Sequence, residues 1–82
     1  MTQQVIKERL AQLVAESSDG AIPAEEALAG GTALSALGLT SLSRMRLIDA
    51  VEDEYGVEID LDDNGWDLVD DLDSLASFLT AR

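Results

Sequence analysis

Few side chains in this sequence can take part in bond chemistry. There is no cysteine and no histidine, which excludes thiolate nucleophiles, disulfides, thiolate zinc sites and Ser-His-Asp triads. General acid–base work falls to Asp, Glu, Tyr55 or Lys7. The most informative hydroxyl is that of Ser41, in the stretch Leu37-Gly38-Leu39-Thr40-Ser41-Leu42, where a glycine-containing loop runs straight into a helical pattern. Thr40 is a good N-cap, which makes Ser41 the first helical residue, exposed and next to the free N–H groups of the first turn. A phosphate ester there would lie against the positive end of the helix dipole. Serine and threonine at such a junction are also ordinary caps, so the pattern permits a modified serine without requiring one.

A second pattern concerns metals. Asp60-Leu61-Asp62-Asp63-Asn64-Gly65 reads like the opening of an EF-hand calcium loop, with oxygen ligands at alternate positions and glycine sixth. The twelfth position is Asp71, one methylene shorter than the bidentate glutamate the geometry needs. Asp67 occupies a position that is usually apolar, and Val57-Glu58-Ile59 ahead of the loop alternates like extended chain rather than helix. No metal site is therefore expected. Asp62 to Asn64 read as a polar turn, and Asp70, Asp71 and Asp73 as helix-start acids.

The elements that must position Ser41 follow from periodicity. Ile6, Leu10, Leu13 and Val14 share one face of a helix over about Thr2 to Ser17, which Asp19-Gly20 stops. A long connection follows. Pro23 with Ala24, Glu25 and Glu26 suggests a first helical turn that Gly30-Gly31 ends, and Leu34, Leu37 and Leu39 can pin the rest onto the core. A helix over Ser41 to Tyr55 turns Leu47, Ile48, Val51 and Tyr55 inward. Its opposite stripe holds Leu42, Met45, Arg46, Asp49, Glu52 and Asp53, while Arg44 falls near the inward face with its guanidinium reaching water. After an extended connector, a brief helical turn near Gly65 to Leu68 offers Trp66 and Leu68 as core anchors. A last helix begins at Asp70 or Asp71, buries Leu72, Leu75, Ala76 and Leu79, and ends at Arg82. The expectation is an all-α four-helix bundle of three long helices and one short.

Length and charge narrow the function classes. A chain of 82 residues with 46% apolar content supports one domain, 1–82, with one modest core. It leaves little room for a deep substrate pocket, which weighs against a self-contained enzyme. Seventeen acidic residues against five basic ones give a net charge of −12. That surface repels nucleic acid and anionic membranes and suits basic protein surfaces. The polar, periodic N-terminus has no signal-peptide stretch, and no run reaches membrane-spanning length, so a cytoplasmic location is expected. The chain starts with Met and ends soon after its last helix, so a freestanding protein is expected, and a monomer with it.

The segment LGLTSLSRMRLIDAVEDEYGVEIDL resembles the signature of acyl and peptidyl carrier proteins, whose pattern is L-G-x-D-S-L. The likeness extends over the whole chain: an apolar first helix, a leucine-containing loop, a second helix ending at Tyr55-Gly56-Val57, and a final Leu-x-x-Leu helix. It implies the carrier-protein bundle and a non-catalytic role. It also implies a 4′-phosphopantetheine arm on Ser41, transferred from coenzyme A by a phosphopantetheinyl transferase. The arm's thiol would hold an acyl or aminoacyl thioester for loading enzymes and downstream pathway enzymes. Leu42 and Met45 would be partner contacts, with Arg46, Asp49, Glu52 and Asp53 beside them. There are two departures. Thr40 replaces the family's aspartate, and Arg44 and Arg46 stand where fatty-acid-type carriers tend to be neutral or acidic. Ser-Leu-x-x-Met-Arg-Leu is closer to carriers of polyketide and nonribosomal-peptide pathways. A D-alanyl-type carrier is the alternative within the class. Outside it, the alternative is an unmodified interaction or calcium-binding module.

Overall fold

Thr2 starts the first helix: its Oγ1 accepts the Val5 N–H at 3.3 Å, satisfying one donor that the first turn leaves over. α1 then spans Gln3–Ser17. It ends as the Asp19-Gly20 pair suggests. Asp19 adopts φ 55°, its N–H reaches the Glu16 carbonyl, and the Gly20 N–H reaches that of Ala15 at 2.8 Å. That is a Schellman closure. The computed structural model describes residues 2–29, 33–59 and 65–81, with the first two residues of the last stretch described by backbone alone.

The Pro23 turn develops into a complete short helix, α2 (Ala24–Ala29). The Pro23 carbonyl accepts the N–H groups of Glu26 and Ala27, and Glu25 and Glu26 complement the dipole in the first turn. A 3-10 turn follows at Leu34–Leu37, then α3 at Ser41–Tyr55, α4 at Gly65–Val69 and α5 at Leu72–Thr80. The fold is all-helical, as expected, with α1, α3 and α5 as its long members and two short helices, α2 and α4, among the described residues. α5 is described to Thr80 with Ala81 as its C-cap, and Arg82, the anticipated end, lies outside the described residues. The connector between α3 and α4 is non-helical over 57–59 and buries Val57 and Ile59 while Glu58 stays exposed, the alternation its sequence implies.

α1 is the central helix and packs against α2, α3 and α5. Its Leu10 and Val14 are wholly buried, with Leu47 and Val51 of α3 and Leu75 and Ala76 of α5. Leu34 and Leu39 join this core, while Leu37 is half-buried against it. Among the described side chains of α4 the fully enclosed one is Val69; Leu68, one of the two expected anchors, is half-buried at its edge. A five-residue helix presents one narrow face, and here that face falls one residue later.

Ion pairs tie the outside of the bundle. Arg9 of α1 grips the Glu54 carboxylate of α3 with Nε at 2.8 and 3.0 Å and Nη2 at 2.7 Å, and Lys7 reaches Asp73 of α5 at 2.7 Å. The guanidinium bonds hold the Glu54 carboxyl below its ordinary value of 4.5. A depressed carboxyl contributes stability above its unfolded pKa and loses it as pH falls through the folded one. Acidification also relieves the self-repulsion of a chain of net charge −12, which acts in the opposite direction. The pair is therefore read by difference. Between neutral pH and the acid side of 4.5, wild type should lose about a degree or two of Tm relative to Arg9→Met, a small effect because both groups face solvent. Equal shifts in the two proteins would remove the pair from the stability account.

Candidate functional site

The loop entering α3 is held by its own hydrogen bonds. Gly38 ends the 3-10 turn at φ 113°, a conformation open to glycine and strained for other residues, and its N–H reaches the Ser35 carbonyl at 3.2 Å. The Leu39 N–H closes back onto the Leu34 carbonyl at 3.1 Å. Thr40 is the N-cap that its sequence position implies. Its Oγ1 accepts the Ser43 N–H at 3.1 Å and lies 3.1 Å from the Ser43 Oγ, while its carbonyl accepts the Arg44 N–H at 2.8 Å. Threonine thus supplies the capping geometry in full without the charge of an aspartate.

Ser41 opens α3 and is exposed. Neighbouring hydroxyls are committed elsewhere. Thr40 and Ser43 bond to each other, Ser43 is half-buried, and Ser35 donates its hydroxyl to Asp70 at 2.8 Å. No acidic residue lies in the first turn of α3, so no carboxylate of that turn opposes an anion on Ser41. The amides of Ser41 and Leu42 fall outside the helix's own bond ladder, at its positive end.

The stripe that runs away from Ser41 is divided in character. Leu42 and Met45, one turn apart, are 61% and 53% exposed, and Val5 of α1 is the other large apolar side chain in this state among the described residues. Asp49 and Asp53 continue the stripe and are exposed. Arg46 is exposed and reaches Asp19 beyond the end of α1 at 3.2 Å. Glu52 differs from the expected surface residue. It is half-buried, and its Oε2 accepts the Ile59 N–H at 2.8 Å, which holds the α3–α4 connector in place. A carboxylate so engaged is less available to steer a partner than Asp49 or Asp53. Arg44 is half-buried with its Nε shielded from water, as a stem lying along the inward face would leave it.

The acidic residues before α5 have separate roles. Asp71 caps α5, accepting the Asp73 N–H at 3.1 Å and the Ser74 hydroxyl at 2.9 Å. That use of both oxygens leaves the twelfth position of the calcium-like pattern occupied by local bonds. Asp60 to Asn64, which open that pattern, and the side chain of Trp66 lie outside the described residues. Asp70 turns away from α5 and onto the 3-10 turn: Oδ1 accepts the Ser35 N–H at 2.7 Å and Oδ2 the Ser35 hydroxyl. No local pattern signals that pairing, because the partners are 35 residues apart. Among the described residues, no helix is long and apolar enough to cross a membrane.

A family model described as phosphopantetheine attachment site matches residues 8–79. No curated protein matches the chain significantly, and neither does any solved structure.

Proposed function

The chain belongs to the phosphopantetheine-attachment-site family and binds 4′-phosphopantetheine covalently, and from that premise we propose that Ser41 is the residue that carries it. The observation that supports this assignment is the exposed Ser41 at the first turn of α3, surrounded by hydroxyls already engaged. In the transfer, Ser41 Oγ forms a bond to the phosphorus of the phosphopantetheinyl group. The bond from that phosphorus to adenosine 3′,5′-bisphosphate breaks, and the hydroxyl proton passes to the transferase. When bound, the arm supplies the thiol that this cysteine-free chain lacks. The protein's own residues then hold the phosphodiester at the positive end of α3 and present the attached group to other proteins.

Members of this family are generally non-catalytic carriers that work with phosphopantetheinyl transferases and with the enzymes that load and use the cargo. The cargo we infer is an acyl or aminoacyl group of a polyketide or nonribosomal-peptide pathway, a reading supported by Ser41-Leu42 and Met45-Arg46-Leu47. A D-alanyl-type carrier is the alternative. The test is intact mass after incubation with coenzyme A and a broad-specificity transferase, followed by peptide mapping. One added phosphopantetheine on the peptide holding Ser41 is expected; addition elsewhere would overturn the assignment.

Leu42 and Met45 are the contacts through which the transferase and loading enzymes would grip α3. Apolar side chains this exposed beside the attachment residue gain by burial only when a partner covers them. Leu42→Glu or Met45→Glu should lower kcat/KM for arm transfer about ten-fold or more with helical content unchanged. Unaltered rates in both variants would move the docking surface elsewhere.

A further inference from the structure

The approach to Ser41 is tied to the far end of the sequence by one residue. Asp70, at the junction of α4 and α5, makes three contacts with the start of the 3-10 turn. Its carboxylate takes the Ser35 N–H at 2.7 Å and the Ser35 hydroxyl at 2.8 Å, and its carbonyl takes the Leu34 N–H at 2.8 Å. The two backbone N–H groups are donors that the first residues of such a turn leave without an internal acceptor. From there the order passes directly to α3. The Leu34 carbonyl accepts the Leu39 N–H, the Ser35 carbonyl accepts that of Gly38, and Leu34 and Leu39 are 1% and 3% exposed in the core. Gly38, Leu39 and Thr40 alone separate the turn from Ser41, and the first two are held by those bonds.

We propose that Asp70 is a positioning residue for arm transfer: through Ser35 it fixes the 3-10 turn whose other end sets the path of the chain into Ser41. The inference rests on Ser41 as the attachment residue. A transferase must match the loop before α3 as well as the helix itself. If the turn is released, the same serine is offered in a wider set of orientations, and the productive encounter becomes less frequent. Asp70 is remote in sequence and makes no bond change; its effect is on recognition, so KM for the protein should rise while kcat stays close to wild type.

Three variants separate this role from a general loss of structure. Asp70→Ala removes both carboxylate bonds. Ser35→Ala removes only the hydroxyl bond, at an exposed position where the fold is not at risk. Asp70→Asn keeps one oxygen for the Ser35 N–H, and its amide N–H can donate to the Ser35 hydroxyl, which then acts as acceptor. Amide hydrogen exchange is measured on each protein alone, and transferase kinetics on each with coenzyme A. In Asp70→Ala, exchange at Gly38 and Leu39 should quicken roughly ten-fold, with core amides of α1 unchanged, and KM should rise several-fold. Ser35→Ala should show a smaller change of the same kind, and Asp70→Asn should recover most of wild-type behaviour. Exchange at Gly38 and Leu39 that does not change in Asp70→Ala overturns the proposal, as does an unaltered KM in a protein modified at Ser41. If wild type is not modified at Ser41, the attachment reading itself fails, an outcome distinct from either result for Asp70.

Discussion

Ser41→Ala is expected to take up no phosphopantetheine after prolonged incubation with coenzyme A and transferase, under conditions that convert wild type completely. Its Tm should stay within about two degrees of wild type. The side chain is exposed, and alanine is a better helix former than serine, so nothing in the core or the cap is lost. The result is informative because other hydroxyls are close. Thr40 serves as the cap of α3, Ser43 is half-buried and bonded to Thr40, and Ser35 is held by Asp70. Each would have to give up a bond to be modified, at a cost of about 1 kcal/mol or more. Addition that persists in the variant would show that one of them competes, with Ser43 the first to map.

The largest loss of stability should come from Leu10→Ala. Leu10 is fully buried in α1, the helix against which α2, α3 and α5 all pack. Truncation removes buried methyl groups and leaves a cavity that the surrounding helices close only in part, at about 2–5 kcal/mol. Domains have roughly 0.05–0.15 kcal/mol per residue in total, so a chain this short loses a large share of its margin. Tm should fall by roughly 10–30 °C. Leu42→Ala is the control: the same atoms are removed from a side chain that is 61% exposed, and the change should stay within about 0.5 kcal/mol. Similar losses for the two leucines would mean that α1 is not the centre of the core.

Much of this molecule is legible in the order of its residues. A 3.6-residue apolar period needs only local sequence to be seen. It places Leu10, Leu47, Val51 and Leu75 in the core, where each is found. Caps are equally local, since the side chain and the N–H it satisfies lie two or three residues apart; Thr40 and Asp71 cap as their positions imply, and Thr2, where the periodicity starts the helix, proves to be its cap. The exposure of Ser41 follows from the same rule. Asp19-Gly20 likewise announced the end of α1.

Contacts between elements were beyond local pattern. Asp70 and Asp71 are adjacent acids before one helix, and both read as its cap. The fold brings the 3-10 turn within 2.7 Å of one of them and not the other, which divides their roles. Glu52 belongs by period to the surface stripe of α3, yet the connector folds back and puts the Ile59 N–H against its carboxylate. Val69 rather than Leu68 fills the core from α4 because so short a helix takes its orientation from the helices it packs on. Local sequence determined the helices, their caps and the exposed serine, since each depends on neighbours within one turn. The tertiary structure alone decided which polar side chains stayed exposed and which were taken up in holding the loop before Ser41, because hydrogen bonds between residues remote in sequence exist only once the helices have packed.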